Sequence, residues 1–280
     1  MSRKEIDELK TLIKALDIRL KNEEISQEEY NKLMEKYEAK LEEQISIVKE
    51  NSFLRNVSYV AISGSGKVTD SHISISGSGR VEGWKGGSIS ISGSGKITDE
   101  EIKVSGSASL PADMQTNVLN VSGSLKVNGS MKTTKLSCSG SIKIEGPLEV
   151  YEKMNLSGSG KIEGDIKADD ASVQSSGSLK VLGGLFCHDA ELNGAYKIQG
   201  DVICQDSFNS ELNAKCDISG ELKVGGNVYI EQESHKGFLE VNKITAEGDV
   251  YLEGVSAEYV SGKTVKIGPD CKIDTIEETG

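Results

Sequence analysis

The chain has 280 residues, with 32 Lys and Arg against 44 Asp and Glu, and a formal net charge of −12. This acidic balance argues against nucleic acid as a partner, since phosphate binding needs clustered positive charge. Aromatic residues make up only 5% of the chain, with one Trp and three Pro, so the predicted core is thin and built from Val, Ile and Leu.

Residues 1–50 predict an α-helical hairpin. Two capping boxes, Ser2 with Glu5 and Ser26 with Glu29, each mark a helix start. Two apolar stripes at helical spacing follow these starts. They comprise Ile6, Leu9, Ile13, Leu16 and Leu20, and then Tyr30, Leu33, Met34, Tyr37, Leu41, Ile45 and Val48. The pattern fits a dimerising pair of helices and equally a solvated helical appendage.

The stretch EEISQEEYNKLMEKYEAKL, residues 23–41, resembles the short helical SHOCT modules found at protein termini. That resemblance implies oligomerisation, and the helices could also recruit client proteins. All 31 glycines and all three prolines lie after residue 50, which predicts a domain boundary there. The predicted organisation is a helical module at 1–50, a linker at 51–56, a β-solenoid at 57–277 and a tail at 278–280.

An internal repeat dominates the chain after the linker. Eight Ser-Gly-Ser tripeptides are centred on Gly64, Gly77, Gly93, Gly106, Gly123, Gly140, Gly158 and Gly177. Each copy is a short alternation of β-branched and small or polar residues, without helical spacing. A period of about 17 residues is too short for a helix plus a strand, so it predicts a β-solenoid with one rung per period.

The predicted fold is therefore mainly β: a single-stranded β-solenoid, or β-helix, of about 13 rungs and about 60 Å in length, preceded by the helical hairpin. Five cysteines occur without a C-x-x-C pair, which favours reduced, buried thiols over disulfides or zinc. Cys187 and Cys204 are 17 residues apart, so we expect them to stack in adjacent rungs.

No catalytic or cofactor motif is complete. The GSGK steps that end at Lys67 and Lys96 fail as P-loops, because an apolar residue follows each lysine in place of the Mg²⁺-binding hydroxyl. His72, His188 and His235 lack the spacing of metal ligands. The sequence therefore predicts no enzyme, no cofactor and no metal site.

The segment VSGKTVKIGPDCKIDTIE, residues 260–277, resembles the closing rungs of bactofilins, with their V-x-I-G-x-x-C-x-I pattern. Gly-Asp or Gly-Glu steps at Gly164, Gly200, Gly220 and Gly248 extend the resemblance over 57–277. It implies a cytoskeletal scaffold that assembles end to end into nonpolar filaments without nucleotide.

Two other functions fit the same pattern. A non-polymerising, adhesin-like or ligand-binding β-solenoid is the main alternative. A hexapeptide-repeat acyltransferase is suggested only by the single stretch IGPDCKI. No apolar run of about 18 residues and no signal peptide is encoded, so we expect no integral membrane segment and a cytoplasmic protein.

The ends of a solenoid are the expected sites of self-association, because they expose unpaired strand edges and the apolar cross-section of the core. The predicted partner is thus a second copy of the chain. The predicted contacts are Phe53, Leu54, Val57, Tyr59 and Val60 at the start, and Val265, Ile267, Ile273 and Ile276 at the end. A competing prediction is that the helices cap one end and limit assembly to dimers.

Overall fold

The computed structural model describes residues 13, 16, 20, 21, 25, 26, 30–34, 36, 37, 59–69, 71–84, 87–98 and 100–280. Residues 30–34, 36 and 37 are helical, as are positions 13, 16, 20 and 21. The Tyr30 amide donates to the Ser26 carbonyl at 2.9 Å, the first helical hydrogen bond expected after a cap at Ser26. The predicted hairpin and SHOCT-like module are not shown, because most of 1–50 lies outside the described residues.

The described chain from Tyr59 onward forms one sheet of 23 strands. The strands are β1 (Tyr59–Val68), β2 (His72–Trp84), β3 (Gly87–Thr98), β4 (Glu101–Val104), β5 (Ser107–Leu110), β6 (Met114–Val121), β7 (Ser124–Val127), β8 (Met131–Cys138), β9 (Ser141–Ile144), β10 (Leu148–Leu156), β11 (Ser159–Ile162), β12 (Ile166–Ser175), β13 (Ser178–Val181), β14 (Leu185–Leu192), β15 (Ala195–Ile198), β16 (Val202–Leu212), β17 (Lys215–Val224), β18 (Val228–Gln232), β19 (Phe238–Ala246), β20 (Val250–Leu252), β21 (Val255–Gly262), β22 (Val265–Ile267) and β23 (Lys272–Glu278).

Alternation of apolar and polar residues sets which side chains enter the core. In β8, Met131, Leu136 and Cys138 are buried and the residues between them are more exposed, as a two-residue period requires. The period breaks once, after the buried Thr133, where the long strand bends. Its Oγ1 donates to the Lys135 carbonyl at 2.9 Å, which satisfies the buried hydroxyl at the bend.

From β4 onward the chain winds as a parallel β-solenoid of about ten turns. Each turn contributes to three ladders. The first ladder holds β5, β7, β9, β11, β13 and β15; the halves of the longer strands before and after the bend form the second and third. In the first ladder, Ser124 to Val127 pair with Ser141 to Ile144 in parallel register. The prediction of a mainly β protein built as a β-solenoid is confirmed.

The prediction of about 13 rungs is wrong, because the first three Ser-Gly-Ser copies are not rungs. They lie in β1, β2 and β3, which pair antiparallel. β3 then pairs antiparallel with β4 and β5, the first parallel strands. Copies in this region are 13 or 16 residues apart, whereas a full turn needs 17 or more. The chain therefore reverses after each long strand instead of passing around the third side.

A column of glycines runs through both parts of the sheet. Gly64, Gly77 and Gly93 are opposite one another across β1 to β3 and have φ values of 98 to 119°, a region that side-chain-bearing residues rarely adopt. In the solenoid, the column continues through Gly106, Gly123, Gly140, Gly158, Gly177 and Gly194. There, a Cβ on any glycine after Gly106 would lie within 3.0 Å of backbone atoms of the preceding turn.

The core is a continuous stack of Val, Ile and Leu between these ladders. Four of the five cysteines are buried in it and all five are free. Cys187 and Cys204 pair in register on adjacent turns, with their Sγ atoms 3.5 Å apart. The predicted cysteine stack is thus confirmed, and these thiols act as small apolar side chains.

Burial makes the thiols poor nucleophiles, since only the thiolate reacts. Burial raises the pKa of Cys138 to about 11, and it also raises the pKa of the half-buried Cys271. At pH 8 we expect Cys271 to react slowly with a thiol-specific disulfide reagent and the other four cysteines to react only after unfolding. Counting modified thiols by mass spectrometry in buffer and in denaturant checks this; rapid modification of several thiols in buffer would contradict it.

Candidate functional site

Within the described ranges, no group of three or more His, Cys, Asp or Glu side chains is placed to hold a metal ion. His72 begins β2, and His235 lies in the turn before β19. The half-exposed His188 has its Nδ1 3.8 Å from a carboxylate oxygen of Asp189. The three histidines lie in separate elements, so the candidate sites are surfaces rather than a catalytic centre.

The C-terminal end surface is formed by four apolar residues of the last turn, Val265, Ile267, Ile273 and Ile276. Each continues an inward-facing column of the core. Ile267 pairs with Leu252, which is buried, yet Ile267 itself is 39% exposed and Ile276 is 49% exposed. Val265 and Ile273 are half-buried against the core. The core is therefore open to solvent at this end.

The N-terminal edge is β1, which pairs with β2 and with no other strand of the described chain. Tyr59 and Val60 are 52% and 46% exposed. Phe53, Leu54 and Val57, the other predicted contacts at this end, lie outside the described residues. The structure thus places Tyr59 on an open edge and leaves the role of all the predicted contacts a prediction.

The two open ends lie at opposite extremes of the sheet. Three antiparallel levels and about ten parallel turns separate them, which at about 4.8 Å per level corresponds to about 60 Å. A rod with an exposed core section at one end and an unpaired strand at the other has no closed surface at either extreme. Such ends favour association with further β-structure.

Comparison with known protein families identifies part of this rod. Residues 86–183 match the bactofilin family model, described as polymer-forming cytoskeletal. The bactofilin match runs from just before β3 to just after β13 and covers less than half of the chain. With the β-solenoid fold, it supports a bactofilin-like, polymer-forming cytoskeletal protein.

Searches of curated proteins and of solved structures gave no match for this chain. Among the described residues, no helix combines the length and the apolar character needed to cross a membrane.

A column of lysines runs along the outside of the first ladder, mostly within the bactofilin match. Its members are Lys126, Lys143, Lys161, Lys180 and Lys197, which pair in register from turn to turn. Like charges opposite one another are unfavourable, and glutamates at the following corner relieve this. Glu145 lies 2.6 Å from Lys143 and 3.0 Å from Lys126, and Glu163 is 2.6 Å from Lys161.

These ion pairs predict an acid-sensitive, salt-screened contribution to stability. Hydrogen bonds from Lys143 and Lys126 lower the pKa of Glu145 below its ordinary value of 4.5. A lowered folded-state pKa stabilises the fold above the unfolded-state pKa, and the contribution disappears as pH falls through the folded-state value. We expect Glu145→Gln to lower the melting temperature slightly at pH 7 in low salt, and not at pH 3 or in 1 M salt, where screening is strong. An equal decrease under all conditions would contradict an electrostatic origin.

One surface feature was missed by the sequence analysis, which aligned GNVYIE with GDVYLE but found no aromatic ladder. Tyr229 and Tyr251 stack in register on adjacent turns, with ring centroids 5.0 Å apart. Their hydroxyls donate to Glu231 and Glu253. The repeated tyrosine at one outward position was the signal. The rings contact each other and their phenols are satisfied, so the stack is a structural contact between turns.

Proposed function

We propose that the chain is a bactofilin-like structural protein that assembles end to end into nonpolar filaments, without nucleotide, and serves as a scaffold in the cytoplasm. One observation carries this proposal. The inward apolar columns are buried along the rod but exposed at its last turn, where Ile267 and Ile276 are 39% and 49% exposed. Association at that turn would bury the same residue types that every other turn buries.

The difference between the two ends supports a nonpolar arrangement. At the N-terminal edge, β1 is one bent strand in an antiparallel sheet. At the C-terminal end surface, β22 and β23 are separate strands in parallel ladders. Joining one end to the other would oppose edges of different shape and direction, whereas each end is complementary to itself under a two-fold axis.

The remaining parts of the proposal concern the organisation of the chain. Residues 1–50 would form the helical hairpin, 51–56 the linker, 57–277 the assembling β-structure and 278–280 the tail. The hairpin would promote oligomerisation or recruit client proteins, with no enzymatic role. The composition change at residue 50 supports this division, since every glycine lies after it.

Electron microscopy of the purified full chain tests the proposal. Negatively stained samples without nucleotide should contain filaments whose length and number rise with protein concentration. The axial repeat should be close to a multiple of the rod length of about 60 Å. Isolated rods at every concentration would overturn the filament proposal and favour the non-polymerising binding module.

A further inference from the structure

We propose that β1 pairs antiparallel with β1 of a second copy of this chain, about a two-fold axis through Gly64. The inference rests on the proposed self-association and specifies its strand, direction and register at the N-terminal edge.

The register within the antiparallel part of the sheet follows one rule. Glycine lies opposite glycine at the centre of each strand pair, and two residues away on either side an isoleucine lies opposite a glycine. Across β1 and β2 these pairs are Gly64 with Gly77, Ile62 with Gly79, and Gly66 with Ile75. Across β2 and β3 they are Gly77 with Gly93, Ile75 with Gly95, and Gly79 with Ile91. The sheet thus adds strands by one repeated antiparallel step.

The sequence of β1 satisfies the same rule against itself. With Gly64 opposite Gly64 of the second copy, Ile62 comes opposite Gly66 and Val60 comes opposite Val68. Both copies make the same contacts, as a two-fold interface requires. The next antiparallel step of the sheet therefore needs only another β1.

Burial along the three strands shows what the edge lacks. The inward residues of β2, such as Ile73, Ile75 and Val81, are buried because a strand lies on each side of them. In β1 the corresponding side chains have one neighbouring strand: Val60 is 46% exposed, and Ile62 is only partly buried. A second β1 would supply the missing neighbour and cover this apolar face.

Nothing in the sequence of β1 opposes such pairing. Edge strands usually avoid it with proline, an inward charge or a bulge, and β1 has none of these between Tyr59 and Val68. Lys67 is the single charged residue in the strand. In the proposed register it lies opposite Ala61 of the second copy, so no like charges meet.

Cross-linking of the full chain tests the register. Ser63 and Ser65 are exposed, and each would lie opposite the other residue of the second copy. We therefore expect a short bis-maleimide to join an equimolar mixture of Ser63→Cys and Ser65→Cys proteins into dimers containing one of each. The yield of this mixed dimer should exceed that from either variant alone, since same-residue pairs are offset along the strand. Equal yields in all three samples would overturn the register.

A matched pair of acidic substitutions tests the face. Val60→Glu places a carboxylate on the inward side, against Val68 of the second copy, and should weaken association at this end at least about tenfold. Ala61→Glu places the same charge on the outward side, near Lys67 of the second copy, and should leave association intact. Equal loss, or no loss, in the two variants would overturn the proposed contact.

The outcomes separate this inference from the filament proposal. Filaments without the mixed cross-link would refute the β1 pairing and leave end-to-end assembly standing. Dimers that give the cross-link but never extend would support the pairing and refute the filaments. A chain that stays monomeric at all concentrations would refute both.

Discussion

Replacing Gly158 with alanine should lower the free energy of unfolding by about 3 kcal/mol, at the upper end of the usual cost of forcing extra atoms into a packed site. The added Cβ would lie within 3.0 Å of the Gly140 carbonyl oxygen and of Ser139 backbone atoms. These atoms belong to the turn below, so relief requires separating two turns. Denaturant unfolding monitored by circular dichroism would measure the change.

Gly160, two residues further along the same turn, provides the control. A Cβ there would meet the Cδ2 atom of Leu156 at 2.9 Å, the far end of a flexible side chain. The adjacent turns carry Ile142 and Leu179 at this register position. Gly160→Ala should therefore change stability by less than about 1 kcal/mol, with a gain if the reduced freedom of the unfolded chain dominates. Similar losses at both positions would show that close stacking of turns is not the cause.

The second large effect is expected at the C-terminal end surface. Ile276→Asp places a carboxylate on the inward side of the last turn, in register with the buried Val260. An interface formed there would bury this charge without a partner, at a high desolvation cost. Filaments should be absent at concentrations where the unmodified chain forms them, and the largest species should be a dimer joined at the N-terminal edge. Electron microscopy and analytical ultracentrifugation would show both.

Thr275→Asp is the matched control, since Thr275 is the adjacent residue and is exposed in register with Tyr259. It adds the same charge on the outward side and should leave filament formation unchanged. Loss of filaments with both substitutions would point to net charge instead of the apolar surface. Filaments with Ile276→Asp would remove this surface from the assembly.

The repeat predicts the strands and the glycine corners, but not the direction of every strand. An Ile-Ser-Gly-Ser-Gly corner bends the chain in the same way whether the next strand runs parallel or antiparallel. Direction depends on the length of the connection. The spacing from Gly64 to Gly77 is 13 residues, too short for a turn with three ladders, whereas Gly106 to Gly123 is 17. The uneven spacings thus contained the signal that separates the two parts.

Prediction of the candidate site from sequence was limited to its apolar composition. A repeat pattern shows that the chain must begin and end with unpaired turns, and Ile267 and Ile276 are exposed at one of them. The pattern could not show that β1 is a single bent edge strand, because that depends on pairing between distant residues. Nor could it show that Glu145 bridges two lysines of successive turns, since these contacts cross the ladder.

The in-register stacking of the 17-residue turns also means that neither end of the rod senses how many turns separate them. Ser124 to Gly140 pair turn by turn with copies of the same pattern on both sides. Duplicating that unit would lengthen each subunit by one step of about 4.8 Å without altering β1 or β23. In a filament of alternating orientation, whose repeat contains two subunits, the axial period would grow by about 10 Å. Subunit length is thus a gauge that gene duplication can reset independently of adhesion between subunits.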